Sequence, residues 1–173
     1  MNNWYMLTLV GEDRPGIVAQ ITAALFENGC NLGEASMMRL GGNFSIMLMV
    51  QNVDDSVQLA DVIHPVTDKL GLHTHIDSIQ AHLHEHLDPN VRITVHGADR
   101  AGIVAKVTGA LAEAGLHILD LASDVGGTSE KPIYIMHIEG HAEQGADGLT
   151  RAVQPVIDEG VNVSLHDIDT LLG

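Results

Sequence analysis

GEDRPGIVA at residues 11–19 returns as GADRAGIVA at residues 97–105, and this duplication is the strongest pattern in the chain. Each copy follows an extended apolar segment, at 5–10 and at 91–96. Each copy also opens a run in which apolar residues recur every four positions, which is the spacing of one helix face. Both copies therefore predict a strand, a tight glycine loop and the N-terminus of a helix.

The duplication extends beyond the two loops. From Gly11 to Leu32, compared with the residues 86 positions later, twelve of 22 positions are identical without a gap. The predicted order in each half is strand, helix, strand, strand, helix, strand. Past the second hairpin the offset grows to 89, and the simplest place for the three added residues is a longer loop over 126–132.

The chain of 173 residues therefore predicts two small domains rather than one. We expect one domain at 1–84, a linker at 85–90 and a second domain at 91–173. The predicted fold class is α+β, with two βαββαβ modules. Domains of this size are marginal alone, so we expect them to pack on each other or in a homo-oligomer.

Prolines and glycines predict where the helices begin and end. Pro15 suits the first turn of the first helix, and Gly29 suits its end. Asp54 or Asp55 is the predicted N-cap of the second helix. Pro65 lies inside that second helix and is expected to kink or shorten it.

Composition narrows the class of protein. The formal net charge is -15 and only eight residues are Lys or Arg. We therefore expect no direct binding to nucleic acid, which needs clustered cations, and the acidity suits either an ordinary surface or a basic protein partner. One cysteine, no signal peptide and no membrane-length apolar run predict a cytoplasmic protein with no membrane association.

The loop and the residues that follow it resemble an ACT domain, a small ferredoxin-like module that senses amino acids. The resemblance rests on G-x-D-R-P-G-I-V after a strand, a helix that ends in glycine, and Cys30-Asn31-Leu32 at the next strand. It covers both halves and implies four-stranded antiparallel sheets with helices on one face. A free-standing pair of ACT domains is similar to the glycine cleavage system transcriptional repressor family.

The resemblance also implies where a ligand lies. In ACT domains that bind small amino acids, the ligand sits between two domains and contacts the loop after strand one and the start of strand two. The corresponding residues are Gly11, Asp13, Arg14, Pro15, Gly16 and Asn31 in the first half, and Gly97, Asp99, Arg100, Gly102 and His117 in the second. Ala101 and His117 stand where the first half has Pro15 and Asn31, so equal binding by the two halves is in doubt.

The same loop residues suggest physical roles that do not depend on the family resemblance. The arginines could clamp a carboxylate with two hydrogen bonds. The aspartates could accept an α-ammonium or cap the helix. Glycine lets a ligand approach the backbone, but glycine, aspartate and proline are also common in any strand-to-helix turn.

Other clusters are weaker candidates for chemistry. Five histidines lie at alternating positions in two groups, His73, His75, His82, His84 and His86, a spacing that could hold Zn²⁺ or Ni²⁺, although a solvated strand end and linker is the more common meaning. Cys30 has a leucine counterpart and suggests packing. Four methionines, at 37, 38, 47 and 49, suggest core and sheet-face filler, or an adaptable interface.

The resulting expectation is a regulatory protein without enzymatic activity, catalytic residues or a cofactor. It would sense a small amino acid, with glycine as the candidate that the family implies, and control transcription through a transcription-factor protein partner. The alternative is a regulatory ACT subunit of an amino-acid or folate-linked enzyme.

Overall fold

The computed structural model describes residues 3–52, 58–80, 87–98, 102–128 and 130–168. The chain divides into two compact units, 1–84 and 85–173, which are called the first and second modules below. Within the described ranges, each module contains four strands and two helices.

The order of the elements is the same in both modules. The first module contains β1 (Asn3–Glu12), α1 (Ile17–Glu27), β2 (Asn31–Leu40), β3 (Asn43–Asn52), α2 (Leu59–Leu70) and β4 (His73–Ile79). The second contains β5 (Val91–Ala98), α3 (Ile103–Glu113), β6 (His117–Thr128), β7 (Lys131–His141), α4 (Gly145–Asp158) and β8 (Asn162–Asp167). This order confirms the predicted βαββαβ repeat.

Each module forms one antiparallel sheet with its two helices on one face. The strand orders are β2-β3-β1-β4 and β6-β7-β5-β8, so the edge strands are β2 and β4 in the first module and β6 and β8 in the second. The helices of each module contact one another. Both modules are ferredoxin-like, which confirms the predicted α+β fold class.

The cores are aliphatic and follow the periodicity of the sequence. On α1 the buried residues are Ile17, Ile21 and Leu25, and α3 repeats this pattern. On β3 alternate residues from Phe44 to Asn52 are buried, because successive side chains point to opposite faces of a sheet. Each fully buried Leu or Ile contributes about 1.5–3 kcal/mol, so this alternation sets which sheet face meets the helices.

The first helix begins later than the sequence predicts. Pro15 lies in a turn outside α1, and the helix begins at Ile17. The cause is Gly16, which occupies the N-cap position with a φ of 85°. This left-handed backbone cannot continue a right-handed helix and is favourable only for glycine.

The second helix also lacks the predicted cap. α2 begins at Leu59 with Gln58 as its N-cap, and no side chain caps it. Asp54 and Asp55 lie outside the described residues and are too early in the chain to be this N-cap. The helix runs through Pro65 to its end, where Gly71 adopts a φ of 69°, so the proline does not terminate it.

The two hairpins differ in length rather than in their loops. Gly41 and Gly42 form the first turn, with φ of 57° and 79°, the left-handed pair that a tight two-residue hairpin requires. The predicted long loop at 126–132 is wrong. Gly126 pairs with Ile133 and Thr128 with Lys131, so the added residues lengthen both strands of the second hairpin.

Three of the four methionines at 37, 38, 47 and 49 are not core residues. Met37, Met38 and Met47 are about half exposed, at 50%, 60% and 46%. The first two lie on β2, and all ten residues of that strand are exposed because it is an edge strand of its sheet. A core role for these three side chains is therefore wrong.

Two further features bear on the predicted organisation. Asn90, the last residue of the predicted linker, is hydrogen-bonded to the second module, since its N–H donates to Gly140 O at 2.9 Å. Across the part of the chain that the structure describes, no helix has the length and apolar character needed to cross a bilayer.

Candidate functional site

The loop after β1 is fixed to the neighbouring hairpin in the first module. The Asp13 N–H donates to Gly42 O at 3.0 Å. Gly11 packs so closely on Leu72, the residue before β4, that an added Cβ would lie 2.6 Å from Leu72 Cδ2. Glycine at position 11 is therefore explained by packing of the chain on itself, without a ligand.

A second anchor of the loop is an ion pair between Asp13 and Arg39. Arg39 Nε donates to Asp13 Oδ2 at 2.6 Å, and a second guanidinium nitrogen lies 2.5 Å from the same oxygen. The Asp13 side chain is 23% exposed and that of Arg39 is 69% exposed. Asp13 therefore does not cap α1, which has no side-chain cap.

Arg14 points to a different partner. Its guanidinium donates to Glu12 Oε2 at 2.6 Å, and both side chains are more than half exposed. The hydrogen bond from Arg14, followed by its positive charge, lowers the pKa of the Glu12 carboxyl. A ligand carboxylate would therefore compete with Glu12 for this guanidinium.

The N-terminus of α1 opens directly beside this loop. Gly16 begins it, and its first turn contains no acidic residue. The unpaired backbone N–H groups and the positive end of the helix dipole are thus not neutralised by a side chain of that turn. This end of the first module can accept a carboxylate or another anion.

Asn31 lies at the other end of the sheet. It pairs with Gln51, which also pairs with Trp4 near the start of β1, whereas Gly11 pairs with Phe44. Seven residues of β3 separate these two points, a distance of roughly 23 Å at the rise of a strand. One module therefore does not bring Asn31 to the loop, and the Asn31 amide donates to Gln51 Oε1 at 3.1 Å instead.

The second module repeats the separation. Gly97 pairs with Tyr134 on β7, whereas His117 pairs with His141 at the opposite end of that strand. Gly102 has a φ of 87°, like its counterpart Gly16. Asp99, Arg100 and Ala101 lie outside the described residues.

Two cavities lined by described residues lie away from the predicted ligand residues. One groove of about 570 Å³ runs between α3 and α4, with the Lys106–Glu159 ion pair on its rim. Another cavity, of about 210 Å³, lies on the open face of the first sheet between three methionines, Met6, Met47 and Met49. Neither groove includes a residue of the predicted ligand site.

The histidine cluster is only partly described. His75 Nε2 lies 3.0 Å from Asp77 Oδ2 on β4. His82, His84 and His86 are outside the described residues. Among the residues that the structure places, no three His, Cys, Asp or Glu side chains are grouped so that they could hold a metal ion.

Arg39 is the residue of this site that the sequence alone does not reveal. It lies 26 residues from Asp13, and only the pairing of β2, β3 and β1 brings the two together. If β2 and β3 are paired outward from the turn at Gly41 and Gly42, Arg39 lies opposite Phe44. Phe44 in turn pairs with Gly11 near the end of β1.

Both modules are ferredoxin-like, and in each a glycine is the N-cap residue of the first helix. A family model described as ACT domain matches residues 5–77 and 90–129. The chain belongs to the ACT domain family, and it is a regulatory protein of that family.

Curated relatives match over very different lengths. The glycine cleavage system transcriptional repressor of Escherichia coli (strain K12) is 23% identical over 178 residues, which covers 95% of this chain and 94% of the relative. The UPF0237 protein YjhC of Lactococcus lactis subsp. lactis (strain IL1403) is 36% identical over 75 residues, which covers 42% of this chain and 85% of the relative.

Solved structures agree with the fold over nearly the whole chain. A protein of unknown function from Galdieria sulphuraria has a TM-score of 0.77 at 21% identity and covers 97% of this chain and 99% of its own. A structure provisionally described as a glycine cleavage system transcriptional repressor has a TM-score of 0.72 at 19% identity, with coverage of 97% and 98%. At these identities the likeness supports the fold alone.

Proposed function

We propose that this protein senses a small amino acid, with glycine as the first candidate, and controls transcription through a protein partner, without enzymatic activity of its own. The proposal of an amino-acid ligand rests on the loop at 11–16, where a helix N-terminus without a side-chain cap lies beside charged side chains. An amino-acid zwitterion is complementary to such a site, because its carboxylate suits the helix end and its ammonium suits a carboxylate such as Asp13.

The separation of Asn31 from this loop favours a site shared with a second copy of the chain. All of β2 is exposed, and its outer edge is free of a partner strand in its own sheet. If two copies of β2 pair antiparallel about a two-fold axis, the start of one strand lies beside the end of the other. Asn31 of the second copy then approaches the end that carries Arg39 and the loop.

The output through a protein partner rests on two supports. The relative in Escherichia coli is named as a transcriptional repressor and matches 95% of this chain. The net charge of -15 disfavours direct contact with DNA, because phosphate neutralisation needs clustered cations. The partner that complements this acidic chain is a cytoplasmic DNA-binding protein with a basic surface.

Calorimetry of the purified chain against each of the twenty amino acids tests the proposal. We expect glycine or another small amino acid to bind. Arg14→Ala is expected to weaken binding about ten- to a hundredfold, the effect of losing one charge-assisted hydrogen bond in a partly closed site.

Arg151→Ala is the matched control, because Arg151 is an exposed arginine on α4 of the second module. Its affinity for the amino acid should equal that of the wild type. A wild-type chain that binds none of the twenty would overturn the proposed function.

A further inference from the structure

Arg39 is the one basic residue that reaches the loop at 11–16 from another element among the described contacts. It lies next to the end of β2, one residue before Leu40, which closes the hairpin by pairing with Asn43. Two of its nitrogens contact the same oxygen of Asp13. Both contacts are to Asp13 Oδ2, and neither is to Asp13 Oδ1.

The ion pair with Arg39 adds to a backbone hydrogen bond that Asp13 also forms. Asp13 donates its N–H to Gly42 O at 3.0 Å, while its side chain accepts from Arg39. Both bonds join the loop to the β2–β3 hairpin, one through the turn and one through the strand. A loop held at two points loses less conformational entropy when a ligand binds, and preorganisation of this kind raises affinity.

The second module lacks the cation at the equivalent position. Arg39 pairs with Phe44, which pairs with Gly11, and in the second module Val125 pairs with Tyr134, which pairs with Gly97. Val125 is 55% exposed and has no polar side-chain atom. The second loop keeps an aspartate in its sequence, but the strand position that corresponds to Arg39 holds a valine, which cannot form an ion pair.

We propose that Arg39 is a positioning residue of the amino-acid site, that it holds the loop between β1 and α1 through Asp13, and that the first module is therefore the binding module of each chain. This inference rests on the proposed function for its ligand. The positioning itself concerns only residues of the first module.

Hydrogen exchange tests the positioning without any ligand. In Arg39→Gln, amides of the peptide covering residues 11–18 should exchange faster than in the wild type. Peptides from the core strand β3 should exchange at unchanged rates. Arg39→Lys keeps a cation beside Asp13 and should restore most of the protection. Equal exchange of the loop in wild type and Arg39→Gln would overturn the inference, whether or not an amino acid binds.

Calorimetry then tests the consequence for binding. The wild type should bind one amino acid per chain. Arg39→Gln should weaken binding about two- to fivefold, the range for a mostly exposed ion pair that acts through the loop. Arg39→Lys keeps one cation beside Asp13 and should bind the amino acid more tightly than Arg39→Gln does. The melting temperatures should agree, since a merely structural role would change stability instead of affinity.

Val125→Gln is the matched control at the equivalent strand position of the second module, and its affinity and stoichiometry should be those of the wild type. Two equal sites per chain, or equal affinity in the wild type and Arg39→Gln, would overturn the inference. Absence of any binding by the wild type would refute the proposed function, while hydrogen exchange would still decide the positioning by Arg39.

Discussion

Cys30 shows how the environment of one residue decides its chemistry. Its side chain is 7% exposed and belongs to the aliphatic core of the first module. Burial raises the pKa of the thiol, because the charged thiolate loses hydration there. The equivalent residue of the second module, Leu116, is 6% exposed, so both modules use this position for packing.

We predict that Cys30 is inert in the native protein. Its raised pKa keeps the thiol neutral, and the neutral thiol is a poor nucleophile. Alkylation by iodoacetamide at pH 8 should be at least about a hundredfold slower in the native chain than in urea, because the reaction requires opening of the core. Mass spectrometry over time measures both rates cleanly, since the chain has one cysteine.

The pH dependence of this reaction has a defined sign. A group whose folded pKa is raised contributes stability that is fully present below its unfolded pKa, and this contribution is lost as the pH rises from there through the folded pKa. Native Cys30 should therefore become more reactive, and the first module less stable, above about pH 9. A native rate equal to that of a free thiol at pH 8 would contradict the buried, neutral state.

At the residue scale, the sequence predicts what is local and misses what depends on register. The repeated glycines at 16 and 102 are recognisable because the left-handed backbone demands glycine wherever it occurs. The helix boundary beside them is misplaced by two residues, since proline is equally compatible with the turn. The Asp13–Arg39 pair requires the strand order β2-β3-β1, which no local pattern encodes.

At the scale of elements, Asn90 ties the beginning of the second module to the end of β7. Its amide nitrogen donates to Ala142 O at 2.8 Å, and its amide oxygen accepts from the Ala142 N–H at 2.9 Å. Its backbone bonds to Gly140 and Ile168. One partly buried asparagine thus satisfies backbone groups on two segments that flank β5.

We predict that Asn90→Ala destabilises the second module by about 1–3 kcal/mol, because it leaves the polar groups of Ala142 without their partners. Thermal denaturation of the full chain measures the change. Asn28→Ala removes one exposed hydrogen bond, to Ala24 O, and should stay within about 0.5 kcal/mol of the wild type. Equal effects of the two substitutions would show that the Asn90 contacts contribute nothing specific.

The hairpins explain which elements the sequence predicts well. Strand and helix order follow from periodicity and from glycines at the helix ends, and the structure confirms them. The lengths of strands and loops are harder to predict, because the composition of the added residues at 126–132 suits a long loop and two longer strands equally well. Pairing of Gly127 with Pro132 shows that these residues belong to the two strands.

At the scale of the whole molecule, the two modules share a backbone and differ in their open sheet faces. Met6 pairs with Met49 across the first sheet, and the equivalent pair in the second sheet is Arg92 with Glu139, an ion pair at 2.8 Å. The first open face is therefore rich in thioethers and the second is charged. The repeat is strong near the loops and does not extend to these faces, so the modules are not interchangeable.

The apolar surface of the first module also extends along its free edge. Phe26 on α1 is 80% exposed, and Leu40 and Met37 on β2 are 72% and 50% exposed. A long, exposed and apolar edge strand readily pairs with another strand. Together with the distance between Asn31 and the loop, this edge favours a homodimer in which two copies of β2 lie side by side.

We predict that Met37→Lys separates this dimer into single chains. Lysine on an edge strand opposes strand pairing, because its charge would be desolvated in the interface. Light scattering coupled to size exclusion should give about twice the chain mass of 18.5 kDa for the wild type and about the single mass for the variant. The dissociation constant of the dimer should rise at least about tenfold.

The same variant tests whether the amino-acid site is shared. If Asn31 of a second copy completes the loop at 11–16, Met37→Lys should also weaken amino-acid binding, and raising the protein concentration should recover it by mass action. Ser78→Lys, an exposed position on the opposite edge strand β4, should leave mass and affinity unchanged. A monomeric wild type, or a monomeric variant with full affinity, would place the complete site within one chain and remove any role for pairing of β2.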